Sequence, residues 1–200
     1  MKNSVVISLL TLAATLVGAG QARANAIING GFESGALAPW FQDRDFAGGG
    51  GTSWFVTAAD AHNGGFSATD VGNKELRQNI TPTLTSSISE ISFWMKHPEG
   101  AGTQMFVDLF YTDSTDTGFM VTSSDAGWDF FDVTGNLGAG KTLSGFSVFG
   151  DGGPGAQVTF LDDVTITSSA VPEPSSFALM GFGSLVLAVG AYRRRRAAAV

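Results

Sequence analysis

The feature that most constrains the fold is the way apolar residues are parcelled between positions 25 and 171. They fall in short runs, many alternating apolar with polar, each closed by Gly, Asp, Asn or Ser after about ten residues. A period of two puts successive side chains on opposite faces of a strand, and the closing residues are those that turns require. No window here carries the 3.6-residue period of an amphipathic helix. Candidate strands run over 53–58, 75–80, 87–96, 104–111, 128–133, 143–149 and 157–167, with shorter ones near 27–29 and 118–121. Regular strands separated by turns predict an all-β, antiparallel sandwich. Glycine, 27 of 200 residues, stands at about twice its usual share and fits the same texture.

The two ends are of another kind. Lys2, an uncharged apolar run from Val5 to Ala19, and small residues at Ala22 and Ala24 make residues 1–24 a secretory signal peptide, cut by signal peptidase before Asn25. The alternative is an N-terminal membrane anchor. At the other end, a linker over 169–176 carries Pro172, Glu173 and Pro174. Residues 177–192 hold no charge, and Arg193, Arg194, Arg195 and Arg196 open a basic tail over 193–200. As a single transmembrane helix, 16 residues would span about 24 Å, short of the ~30 Å hydrocarbon core, a gap that snorkelling arginines and local thinning make up. The arginines would stay cytoplasmic and the body would face outward.

Pro-Glu-Pro, a short apolar helix and a terminal arginine cluster, in that order, resemble the PEP-CTERM sorting signal. The resemblance implies an exported protein, anchored in the inner membrane until an exosortase-type enzyme processes it near Pro172–Glu173–Pro174, then found at the cell surface or in the extracellular matrix or biofilm. A plain tail anchor with a proline-rich stalk is the alternative reading.

Between residues 25 and 171 stand five basic residues and seventeen acidic ones, a net charge of about −12. So acidic a body does not bind nucleic acid by counterion release; it stays soluble and attracts divalent cations. With no cysteine, disulfides and thiolate metal sites are excluded.

Within the body, NGGFE at 29–33 followed by Pro39-Trp40, SFW at 92–94 and FLDDV at 160–164 resemble, in this order, the opening, central and closing strands of galactose-binding-like jelly rolls, the group that includes carbohydrate-binding modules. Alternation along 160–166 puts Phe160, Asp162, Val164 and Ile166 on one mainly apolar, inward face. A buried Asp162 there needs either a cation or a full set of N–H donors. The resemblance implies that the first and last strands lie together, tied by structural calcium on Glu33 and Asp162, with backbone carbonyls completing the shell.

Sugar sites use flat aromatic faces ringed by polar groups. Trp40, Trp54, Trp94, Trp128 and Tyr111 are the candidates, against the plain alternative that they fill the core. Trp94 shares its strand face with Ser92 and Lys96, and so points outward. Trp94 and Trp54 are the expected ligand contacts. The glycine-rich segment 43–52 is a further groove edge, or a spacer.

Residues 135–142, GNLGAGKT, match the P-loop pattern. The following run alternates like a strand and is broken by Gly145, whereas a P-loop opens a helix. A glycine-rich hairpin loop without nucleotide is expected. His62 and His97 lack zincin spacing, and no GxSxG elbow is present. Three functions remain: a non-catalytic envelope or matrix protein contacting polysaccharide, a purely structural surface protein, and, last, a glycan-active hydrolase with paired carboxylates.

Overall fold

The computed structural model describes residues 24–45, 52–71, 74–150, 158–169 and 183. The expected signal peptide (apart from Ala24), the apolar helix 177–192 (apart from Gly183) and the arginine cluster lie outside these residues. So does the Pro-Glu-Pro motif. Residues 23–169 form one unit by themselves.

Eleven strands are present among the described residues. They are β1 (Ala24–Asn25), β2 (Phe41–Asp45), β3 (Thr52–Thr57), β4 (Ser67–Val71), β5 (Lys74–Leu84), β6 (Ile88–Lys96), β7 (Gln104–Tyr111), β8 (Asp116–Thr122), β9 (Trp128–Asp132), β10 (Thr142–Gly150) and β11 (Val158–Ser168). All pair antiparallel, in two sheets. The first has the order β3-β4-β11-β6-β9, and the second β2-β5-β10-β7-β8. β11 is long enough to pair β4 through residues 158–161 and β1 through Thr167 and Ser168, so the first and last strands do lie together.

Alternation explains the core. Ile91, Phe93 and Met95 from β6 and Leu161, Val164 and Ile166 from β11 are buried, as are Leu76, Met105, Val107, Leu109, Phe146 and Val148 of the second sheet. Phe93 meets Phe146 across the sandwich at 6.0 Å between ring centres, and Trp40 closes on Phe146 at 6.2 Å. Burying a side chain of this size stabilises the fold by roughly 1.5–3 kcal/mol.

Three expectations need correction. The segment 27–29 is irregular and leads into the turn at Gly30, and the opening strand is β1; β2 and β4, rich in polar residues, were not legible as strands. Residues 135–142 do not form a hairpin: they carry the chain from β9 in the first sheet to β10 in the second, clasped by Tyr111 Oη, which accepts from Gly138 N–H at 2.8 Å. A strand comes directly after this segment, so it has no helix N-terminus to cradle phosphate.

The third correction concerns β11. Its register against β6 shifts between Asp162 and Thr165, and Asp163 sits at φ +48°. This bulge inserts one residue and reverses the facing of the rest of the strand. Phe160 and Asp162 therefore lie on the outer face, opposite Lys96 and Trp94, while Val164 and Ile166 turn inward. The opening turn holds the bulge in place. Val164 N–H donates to Gly30 O at 3.0 Å, and a Cβ on residue 30 would come within 2.0 Å of Val164 O, so only glycine fits.

Candidate functional site

Trp94 lies on the outer face of the first sheet, as its alternation requires, between Phe130 on β9 and Asp162 on β11. It is half-buried because the His62 ring stacks on it, 3.7 Å between centres and 14° between planes. Trp54 points the other way. It is 2% exposed, with its indole N–H on Lys74 O at 2.6 Å, and offers no ring face to a ligand; it belongs to the core.

Glu33 and Asp162 act on the same loop. Asp162 Oδ2 accepts from the backbone N–H of His62 and Asn63 at 2.9 and 3.3 Å, and Oδ1 from its neighbour Asp163 at 2.7 Å. Glu33 accepts from the N–H of Gly65 and Phe66 at 3.0 Å. Loop 60–66 is thus pinned by two carboxylates, one from each end of the domain. Asp162 is fully buried, and burial, with the Asp163 charge adding, pushes its pKa up to about 6 against the pull of those N–H groups.

The two expected calcium ligands, Glu33 and Asp162, are thus both engaged by backbone N–H groups. Asp163, Asp162 and Glu33 gather at Gly31: a methyl group there would stand 3.2 Å from Asp163 Oδ1, 3.7 Å from Asp162 Oδ1 and 3.9 Å from Glu33 Cγ. Among the described residues no three His, Asp or Glu side chains are arranged as a ready metal cage, so a cation would need backbone carbonyls to complete its shell.

The outer face of the second sheet, which alternation had not singled out, carries the denser polar constellation. Arg44 on β2 donates to Glu75 on β5, Nε to Oε2 at 2.7 Å, and to Asp108 on β7 at 3.1 Å. Both carboxylates are almost without exposure. Burial opposes the charge of Glu75, but hydrogen bonds from Arg44 and the charges of Arg44 and Arg77 outweigh it, and the carboxyl is held below its usual range. Asp108 goes the other way: burial, with Asp116 adding, raises it against Arg44.

Arg77, the next outward residue on β5, donates to Asp43 at 3.0 Å and lies 3.8 Å from the ring centre of Phe110. Phe106 stacks on Phe149 at 4.8 Å and leans over Gly118 of the edge strand β8, where a Cβ would come within 2.5 Å of the ring. Planar groups therefore lie along this face, among charges fixed by one another. The available signal was that the two arginines of the body, Arg44 and Arg77, both fall on short polar runs. It was missed because the face is assembled from five strands spread along the sequence.

No curated protein matches the sequence. Residues 170–196 match the PEP-CTERM protein-sorting motif. Among solved structures, the domain is similar to TmCBM61, determined in complex with β-1,4-galactotriose, with a TM-score of 0.53 and 18% identity over 72% of this chain and 99% of that one. It is similar to the CBM22-1 xylan-binding domain of Paenibacillus barcinonensis Xyn10C, with a TM-score of 0.52 and 16% identity over 76% and 98%. A family 16 carbohydrate-binding module is similar at 0.51 and 15% identity over 71% and 99%. The chain thus joins a PEP-CTERM protein-sorting motif at residues 170–196 to an antiparallel jelly roll with the fold of carbohydrate-binding modules.

Proposed function

We infer that the chain is an exported, non-catalytic protein whose jelly roll contacts a neutral polysaccharide. Signal peptidase frees its N-terminus, the C-terminal helix holds it in the inner membrane, and an exosortase-type enzyme processes it for the cell surface or matrix. The observation that carries the glycan reading is the outer face of the second sheet. There Arg44 and Arg77 are fixed by Glu75, Asp108 and Asp43 beside the rings of Phe110 and Phe106. Fixed charged donors and acceptors bordered by aromatic rings suit the hydroxyls of a sugar. The net charge of about −12 disfavours a polyanion.

Calcium is part of this reading as a structural ion on Glu33 and Asp162, where it would neutralise the buried charge and tie the chain's two ends together. A hydrolase has one point in its favour, since the pKa values of Glu75 and Asp108 are pushed apart, as those of an acid and a nucleophile are. Against it, both carboxylates are buried and gripped by one guanidinium, which suits them to fixing Arg44 rather than reaching a glycosidic oxygen.

The test is affinity electrophoresis and calorimetry of the purified protein with the host's extracellular polysaccharide, β-1,4-galactan and xylan. Saturable binding is expected without release of reducing sugar, and Arg77→Ala with Phe110→Ala should weaken it at least about tenfold. No binding to any of the three would leave a purely structural surface protein. Release of reducing ends that Asp108→Asn abolishes would make it a hydrolase.

A further inference from the structure

The outer face of the first sheet is also out of keeping with its position. The outer side of an antiparallel sandwich is normally polar, yet five aromatic residues lie here. The register sets three of them in one row across the strands: Phe55 stands opposite Thr69, Thr69 opposite Phe160, Phe160 opposite Lys96, and Lys96 opposite Trp128. Strands are about 4.8 Å apart, so Phe55 and Phe160 are set roughly 9.6 Å apart along the row, near the length of a disaccharide unit, while the Phe160 and Trp128 rings close to 6.3 Å between centres. In the next row Phe130 pairs with Trp94, with ring centres 5.3 Å apart. Phe55 is 47% exposed and Phe130 51%.

Polar groups are set into the same row. Asp60 accepts from Lys96 Nζ at 2.6 Å and from Trp128 Nε1 at 3.1 Å, and His62 Nδ1 pairs with Asp163 at 2.8 Å. Both basic side chains, Lys96 and His62, are thus held by carboxylates, on a face that also carries Asp132 opposite Ser92 within a strongly acidic domain. That combination fits an uncharged chain of rings and hydroxyls; an anionic polymer would be repelled, and a basic partner would find Asp60 and Asp163 already engaged.

We propose that this aromatic row is a second, independent contact face for neutral polysaccharide, so that the domain, gripping one chain on each side of the sandwich, crosslinks glycans. The inference rests on the reading that the second sheet's outer face also holds a glycan. The two faces lie on opposite sides of one core, so a bound chain on one leaves the other free.

Light scattering from a solution of the host's polysaccharide, titrated with the purified protein, tests this. Scattering should rise and then fall as excess protein saturates both faces separately. Phe55→Ser with Phe130→Ser, both exposed and so without consequence for folding, should still bind in affinity electrophoresis but leave scattering at the level of glycan alone. Adding these changes to Arg77→Ala and Phe110→Ala should abolish the binding that remains in the latter pair. Wild-type scattering in the double serine variant would overturn the second face. So would binding by the wild type without any rise in scattering, and in that case the proposed function itself survives. Self-association without glycan, lost in the serine variant, would assign the face to a second copy of the chain and overturn the proposal. No glycan binding by the wild type would overturn both readings.

Discussion

The two outer faces of the sandwich depart from a plain solvated surface in opposite ways. On the second sheet the departure is buried charge: Glu75 and Asp108 lie almost without exposure beneath Arg44, while Arg77 covers a phenylalanine ring. On the first sheet it is exposed ring: Phe55 and Phe130 stand half out of the surface, and Trp94 is roofed by a histidine. Burying charge costs desolvation, and exposing rings forgoes burial. Neither helps the fold, and the core between the sheets is complete without either. Local energetic cost, rather than residue type alone, is what sets these two faces apart from a solvated surface.

The division between core and faces is the first thing to break. Phe146→Ala empties the point where Phe93, Trp40 and Phe146 meet and should cost about 3–5 kcal/mol in denaturant unfolding. Phe130→Ala should stay within about 0.5 kcal/mol of wild type. A loss of about 2 kcal/mol or more at Phe130, on the order of a core truncation, would mean that the aromatic face is structural.

Asp162→Ala should come next. It strands three backbone N–H groups and should lower stability by about 1–3 kcal/mol even in chelator. With calcium present the deficit relative to wild type should widen, because only the wild type gains from the ion. Glu33→Ala should show the same calcium dependence on a smaller base. Equal losses with and without calcium, read as melting temperatures, would remove the ion from Glu33 and Asp162.

How far the sequence revealed these regions depends on their geometry. Trp94 was legible as outward because it lies in the alternating stretch 90–96 of β6, between the inward-facing Phe93 and Met95. Asp162 was legible as buried, but its facing was misread. A bulge inserts one residue without a signature in composition, and Asp163, with a positive φ, gives no hint of it. Trp54 was misjudged because β3 is short and its side-chain pattern does not say which sheet it joins. The Arg44, Glu75 and Asp108 cluster draws on β2, β5 and β7, which are separated by tens of residues, and pairing between strands is what a single sequence does not display. The P-loop pattern could be dismissed beforehand, because the run after it, from Leu143 onward, alternates with period two.

Arg44→Ala comes next in size. It leaves Glu75 and Asp108 buried without their shared partner, a loss of about 1–3 kcal/mol, less than for a fully buried pair because Arg44 itself is nearly half exposed. Arg44→Lys should recover only part of this, since an ammonium does not reproduce the fork that meets both carboxylates. Full recovery by lysine would show that charge alone, and not donor geometry, shapes the face.

The smallest effect is the pH dependence that separates the two carboxylates. Asp108 is raised in the fold, so its ionisation works against folding. Its contribution to stability is full below the ordinary Asp value of about 3.9 and is lost as pH rises through the folded value. Glu75 is held low, so its contribution is present above about 4.3 and is lost as pH falls through the folded value. On acidification from neutrality the melting temperature should therefore first rise and then fall. Asp162, raised to about 6, adds a rise of the same sign. The informative quantity is consequently the difference between wild type and Asp108→Asn, measured in chelator. The variant should lose part of the rise and keep the acid fall, because asparagine has no charge to remove and Glu75 still pairs with Arg44. An unaltered rise would mean that Arg44 compensates Asp108 fully, and the second sheet's outer face would then carry no stored charge for a ligand to relieve.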